Sequence, residues 1–318
     1  NIPRIDYTTG EGVVLLEPQS TNLIPYSEDF SDSSWIKEAA TTLTGGQASP
    51  DGGNNAYKVQ GTIGLSYVLE GGLGAVTPQS RSIYMRADTN GVISSLGDNQ
   101  VHQINVTTEW QRFELQETSN AFYAVDFRGV GVTLDTVYIW GAQVEQQSYA
   151  TSYIPTSGST VTRNQDVCTN GGSLATINST EGTLYFEGAA LSDGGVSRII
   201  GISDGSYSNF VAFRYDISSS SFTSFLRGNG GAFAPQTVGG ITQTDNNKIA
   251  LVWDATNFRV WLNGIQVITS ATNDLPVGLD TLSFSDAIGI EQFMGKTKAL
   301  AVWKEALSDS ELQSLTTI

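Results

Sequence analysis

Apolar side chains recur at every second position through short runs, and the runs are separated by turns rich in Gly, Asn, Asp and Ser. In "SRSIYMRAD" (residues 80–88) one face carries Ile83, Met85 and Ala87, and the other carries Ser82, Tyr84, Arg86 and Asp88. A period of two predicts a half-buried β-strand. "EWQRFELQE" (109–117) repeats the pattern, with Phe113 and Leu115 opposite Arg112 and Glu114. "TVYIWGAQVE" (136–145) is apolar on both faces and predicts a central strand. Four more strands are expected in "GTLYFEGA", "SRIIGISD", "NFVAFRYD" and "SFTSFLRG". In "NKIALVWDATNFRVWLNGIQVI" (247–268) Ile249, Leu251 and Trp253 alternate inward, and Phe258, Val260 and Leu262 do the same on the next run. Asn263-Gly264 then supplies the two positive-φ residues of a type I′ hairpin turn.

The pattern changes only at the C-terminus. In "ALAVWKEALSDSELQSL" (299–315) a strand runs into a short helix. Ser308 with Glu311 three residues later forms a capping box, and Leu307, Leu312 and Leu315 make one apolar stripe. A helix this short does not stand alone. It must dock those leucines, most simply on an open edge or end of the second sandwich. "SYATSYIPTSGSTVTRNQDVCTNGG" (148–172) is rich in Ser, Thr, Gly and Asn and marks a boundary near 155–170. The fold class expected is all-β: two antiparallel β-sandwich (jelly-roll) domains. Residues 1–20 are a linker or strand, 21–155 the first sandwich, 156–172 a linker and 173–318 the second sandwich with its terminal helix. No short fixed-period repeat argues for a solenoid or propeller.

With 318 residues the chain suits two domains, and 34 Gly with only 15% charged residues suits many tight turns. A net charge of −16 repels phosphate backbones and anionic headgroups, so nucleic acid is excluded as the expected partner. Neutral sugars meet no such barrier, whereas an anionic glycan needs a local basic patch or a bridging cation. No apolar run is long enough for a membrane helix, so no membrane insertion is expected. Cys168 has no partner for an internal disulfide and is expected to be a small buried apolar side chain.

The series "KIALVWDATNFRVWLNGIQV" and "GKTKALAVWKEALSDSELQSL" resembles the laminin-G-like branch of the concanavalin-A-like jelly rolls, over roughly residues 170–318. "TNLIPYSEDFSDSSW", "RSIYMRAD", "TTEWQRFEL" and "VYIWGAQVE" resemble the jelly-roll carbohydrate-binding modules found beside glycan-degrading enzymes. The join "PRIDYTTGEGVVLLEPQSTNLIPYSEDF" through "GAQVEQQSYATSYIPTSGSTVTR" looks like bacteriophage tail-fibre and virion adhesion proteins. The resemblances imply a non-catalytic, lectin-like receptor-binding protein of a virion. Its location would be extracellular, its partners a bacterial surface polysaccharide and other virion proteins, and its state a homo-oligomer such as a trimer. A polysaccharide lyase or glycosidase, or the binding portion of one, is the first alternative; a structural decoration protein is the second. Both resembled families also hold structural calcium, for which Asp29, Asp32, Asp135 and Glu145 in the first half and Asp204 and Asp286 in the second are the candidates.

Catalytic motifs fail on inspection. "GISDG" (201–205) has the G-x-S-x-G form of a nucleophile elbow, but the one histidine, His102, lies upstream in the other half, so a turn between strands is the better reading. "GIEQFMGKT" has five residues between its glycines where a phosphate loop requires four. No Glu-x-Asp-x-x-Glu strand is present, although a carboxylate pair from distant strands leaves no sequence signature. No catalytic residue is therefore assigned and no enzyme activity is expected. Sugar binding needs aromatic faces bordered by polar groups. Tyr84 and Arg86 are the leading candidates, with Trp35, Tyr67 and Trp261, and Tyr215 beside them, as further ones. Trp110, Trp140, Trp253 and Trp303 are expected in the core.

Overall fold

The computed structural model describes residues 4–8, 10–38, 40–73, 78–94, 96–97, 102–117, 122–231, 235–272 and 274–318. The protein is all-β apart from one C-terminal helix among the described residues, and every strand pairing is antiparallel. The chain divides into two compact units, residues 19–164 and residues 1–18 with 165–318. The chain passes from one unit to the other twice, at residues 18–19 and again at 164–165.

In the unit of residues 19–164, two five-stranded sheets form a jelly-roll sandwich. One sheet runs in the order Gln111–Glu117, Gln79–Arg86, Thr136–Glu145, Ala56–Gln60, Thr42–Gln47. The other runs Gln103–Val106, Gly91–Ser94, Tyr123–Asp126, Tyr67–Glu70, Trp35–Lys37. The alternation read from the sequence sets the layers: Ile83, Met85 and Ala87 are fully buried with Val59, Val68, Val125 and Ile139 in one cluster. Burial of these side chains is the main favourable term, at about 1.5–3 kcal/mol for each large apolar group. Strand Thr136–Glu145 is central, and its register shifts between Trp140 and Gln143, where Gly141 takes φ +65°. A short pair, Val161–Arg163 with Ser20–Asn22, closes this unit.

The other unit is also an antiparallel β-sandwich, a seven-stranded sheet over a five-stranded one. The larger sheet runs Arg4–Asp6, Val13–Leu16, Gly295–Trp303, Gly182–Ala190, Asn247–Trp253, Asn257–Leu262, Ile265–Ala271. The smaller runs Gln236–Gly239, Ser221–Arg227, Phe210–Tyr215, Arg198–Ser203, Thr281–Ser283. Residues 1–20, read as a linker or strand ahead of the first sandwich, thus supply two strands to this sheet, with Val14 opposite Thr297. Lys296 pairs with Asp6 at 2.6 Å across that junction. Ile249, Leu251, Trp253, Phe258 and Val260 face the core as predicted, against Phe186, Phe213 and Phe222. Asn263 and Gly264 both have positive φ, 49° and 85°, so the I′ turn forms where expected. "GISDG" is a strand end and turn: Gly205 takes φ +82° and its N–H reaches Ser203 Oγ.

Two expectations are corrected here. The C-terminal helix, Asp309–Thr316, has the expected capping box, with Ser308 N–H donating to Glu311 Oε2 at 2.8 Å. It docks on the outer face of the seven-stranded sheet, however, and not on an edge or end: Leu312 is buried over Tyr185, Ala250 and Trp261. That face is apolar where Ala250 and Val252 leave room for a helix, and Arg259 ties Asp309 to the sheet. Cys168 is exposed, not buried. Its carbonyl accepts Phe284 N–H at 2.9 Å, so the segment pairs through its backbone.

Candidate functional site

Tyr84 and Arg86 stand on the outward face of strand Gln79–Arg86, as the alternation requires, and both are half-buried. Register places Tyr84 between Arg112 and Trp140, and Arg86 beside Tyr138. Two cross-strand rows result. In the first, the Arg112 guanidinium lies 5.8 Å from the Tyr84 ring centre, and Tyr84 meets Trp140 edge-on at 5.3 Å. Trp140 meets Tyr153 at 4.7 Å. In the second, the Arg86 guanidinium stacks 3.8 Å from the Tyr138 ring and 5.6 Å from that of Trp110, with Lys58 on the far side of Tyr138 at 5.9 Å. Cation–π contacts of this kind contribute about 0.5–2 kcal/mol each.

Polar groups fix the rings. Trp140 Nε1 donates to Asn55 Oδ1 at 3.1 Å, and Asn55 Nδ2 donates to Glu28 Oε2 at 2.7 Å. The Tyr153 hydroxyl donates to Glu28 Oε1 and shares a proton site with Ser27 Oγ at 2.6 Å. Burial pushes the Tyr153 phenol well above its usual range, so it stays a donor. Arg112 donates to Ser82 Oγ and Thr151 O at 2.8 and 2.7 Å, tying this face to the loop that carries Tyr153. Gly141 is required where it is: a Cβ there would lie 3.3 Å from Tyr153 and 3.4 Å from Tyr84, on a backbone at φ +65°. The result is a face of ring edges, planar cations and amide groups, which can stack on the C–H face of a sugar and hydrogen-bond its hydroxyls.

The other sequence candidates lie elsewhere. Tyr67 is half-buried on the opposite sheet of the same unit, with Arg128 4.0 Å over its ring, so it is not beside Tyr84. Trp35 is corrected: it is 1% exposed, packed on Phe30 at 4.7 Å and Tyr123 at 5.9 Å, with Nε1 donating to Tyr26 O. Its strand turns that side chain into the sandwich core. Trp261 is also corrected, since the terminal helix covers it. Tyr215 is fully buried in the core of its sandwich. Of the tryptophans expected in the core, Trp253 and Trp140 are buried, Trp140 at 6% exposure beneath the rows above, whereas Trp110 and Trp303 are half-buried. Sequence reasoning missed Trp110, Tyr138, Trp140 and Tyr153. The signal available was the even spacing of Tyr138 and Trp140 on a strand read as buried on both faces.

Opposite Trp35 in register is Glu70, 4% exposed, with Oε2 buried and unpartnered. Burial pushes its carboxyl up from the usual value. The native state therefore holds this proton to higher pH than the unfolded chain does. The contribution of this one group to stability is fully present below the ordinary glutamate value, about pH 4, and is lost as pH rises through the native value. Glu70→Gln is expected to stabilise the protein by about 1 kcal/mol at pH 7 and to have no effect near pH 4, read as melting temperature at the two pH values.

Five of the six calcium candidates accept hydrogen bonds from protein groups. Asp29 accepts from Ser31 and Tyr57, and Asp32 from Ser34 N–H. Glu145 is fully buried among Ser20, Gln143 and Thr151. Asp204 accepts from Ser206 and Asn209, Asp286 from Tyr207 and Ile290 N–H, and Asp135 is exposed. Among the described residues no three His, Cys, Asp or Glu side chains converge on a point where a cation would sit.

No family model matches the chain, and no curated protein matches it. Among solved structures it is similar to the NanB sialidase from Streptococcus pneumoniae, at 17% identity over 44% of this chain and 24% of that one, with a TM-score of 0.38. It is also similar to Ruminococcus gnavus IT-sialidase CBM40 bound to alpha2,3 sialyllactose, at 17% identity over 47% of this chain and 94% of that one, TM-score 0.39. A third similar structure is the heptameric SAP-like pentraxin from Limulus polyphemus, at 16% identity over 46% and 73%, TM-score 0.37. The chain thus spans about a quarter of the length of the NanB sialidase structures it is similar to.

Proposed function

We propose that the protein is a non-catalytic glycan-binding adhesion protein whose contact surface is the outward face carrying Tyr84, Arg86 and Trp110. One observation carries the proposal: the half-buried Tyr84 and Trp110 rings and the half-buried Arg86 guanidinium lie together on the face of the sheet turned away from the sandwich core. The sugar class it suits is a surface polysaccharide, whose repeating units offer one pyranose face after another. The setting in a phage virion, the bacterial host surface and homo-oligomeric assembly rest on the sequence resemblance of the join between the halves. Binding should be measured on a glycan array and on whole bacterial cells. Tyr84→Ala is expected to weaken binding about tenfold or more, with the far-ultraviolet spectrum and melting temperature preserved. Undiminished binding by Tyr84→Ala together with Trp110→Ala would remove this face from the function. Release of reducing or unsaturated ends from a bound polysaccharide would overturn the non-catalytic reading.

A further inference from the structure

The guanidinium of Arg86 differs from that of every other arginine in the chain. Arg4, Arg81, Arg112, Arg128, Arg163, Arg198, Arg214, Arg227 and Arg259 each donate at least one side-chain hydrogen bond. Arg86 donates none among the described residues. Its one ion-pair partner there is Asp88, at 3.9 Å, beyond hydrogen-bond reach and 61% exposed. Yet the side chain is only 25% exposed, because Tyr138 covers one face of the guanidinium at 3.8 Å and Trp110 approaches at 5.6 Å. The plane is thus fixed and partly dehydrated while the N–H edge is left without an acceptor. A guanidinium presents its donors as a planar fork that matches two coplanar oxygens.

We infer that the ligand of this face carries a carboxylate, and that Arg86 reads it. The inference deepens the proposed glycan-binding role and rests on it: the sugar is an acidic one, of the hexuronic type, whose ring packs on Tyr84 or Trp110 while its carboxylate meets the Arg86 fork. A carboxylate held by two parallel N–H donors is a charge-assisted pair, stronger than a neutral hydrogen bond. The chain as a whole, at −16, repels such a ligand. Lys58, Arg86 and Arg112 gather on this one face, where Glu114 lies 3.4 Å from Arg112 and is half-exposed. Arg112 is already engaged by Ser82 and Thr151, which leaves Arg86 as the reader and Arg112 as the group that positions Tyr84.

The test uses a panel of hexuronate-containing polysaccharides, each paired with its carboxyl-reduced form, so that members of a pair differ only in the acidic group. A neutral-glycan panel is run beside it. The full chain is expected to bind at least one acidic member about ten- to a hundredfold more tightly than its reduced partner. That preference should fall as salt is raised. Arg86→Gln should bring the two affinities together, and Arg86→Lys, which keeps charge without the fork, should restore only part of the difference. Equal affinity within every pair, with binding still lost in Tyr84→Ala, would overturn the acidic-sugar inference and leave glycan binding standing. An acidic preference untouched in both Arg86 variants would overturn the assignment to Arg86. Binding to no member of either panel would overturn the glycan-binding role itself, and this inference with it.

Discussion

Glu145→Ala is expected to destabilise the unit of residues 19–164 by about 3–5 kcal/mol. Glu145 closes the central strand and is fully buried. Its carboxyl oxygens accept from Ser20 Oγ at 2.5 Å, Gln143 Nε2 at 2.8 Å, Thr151 N–H at 2.9 Å and the Thr151 hydroxyl. Alanine removes the acceptor for all four donors at once. Each stranded buried donor costs about 1–3 kcal/mol, and rotation of the two hydroxyls recovers part of that. Glu145→Gln keeps one acceptor oxygen and sets an amide against the Gln143 amide, so an intermediate loss is expected. Hydrogen exchange on the full chain checks this by region: protection should drop within 19–164 and persist in 165–318. The same carboxyl holds Thr151, whose carbonyl accepts from Arg112, two residues before Tyr153. Glycan binding should therefore weaken in Glu145→Ala at temperatures where the unit is still folded. A loss below about 1 kcal/mol would mean that the network does not hold the loop.

The second large effect lies in the other unit. Trp253→Ala is expected to cost about 3–5 kcal/mol, the range for emptying a large aromatic site. Trp253 is fully buried, and its Nε1 donates to Ser179 O at 3.2 Å. The ring presses on the backbone of Gly182, where an added Cβ would stand 2.3 Å from Cζ2. A glycine and a tryptophan thus share one volume on neighbouring strands. Trp253→Phe should lose less. Here exchange protection should fall in 165–318, while glycan binding by the intact 19–164 unit is retained. Parallel loss in both units would show that they unfold as one, contrary to the division into two compact units.

Much of the architecture was legible because β-structure writes a local code. Ile83, Met85 and Ala87 alternate with Tyr84 and Arg86, so one face had to be inward. Asn263-Gly264 tolerate positive φ, and Ser308 with Glu311 closes a first helical turn; both are properties of neighbours in sequence. Less legible was any feature that depends on what covers a face. Trp35 and Trp140 are both buried strand residues, yet Trp35 packs in the sandwich core and Trp140 on the opposite face of its sheet against Tyr84 and Tyr153, and nothing near either residue distinguishes them. Trp261 looked available because the helix that hides it begins some fifty residues later. The strand Val13–Leu16 was placed ahead of the first sandwich because its partner, Gly295–Trp303, lies at the far end of the chain.

By itself, then, the sequence determined the strands, their two faces, the tight turns and the capped helix, because each of these follows from backbone geometry acting over a few residues. Only the tertiary structure decided which of two apolar faces is buried, which rings gather around Arg86, and which carboxyls are engaged by hydrogen bonds. Those outcomes depend on pairings between residues tens to hundreds of positions apart, and local alternation carries no record of them.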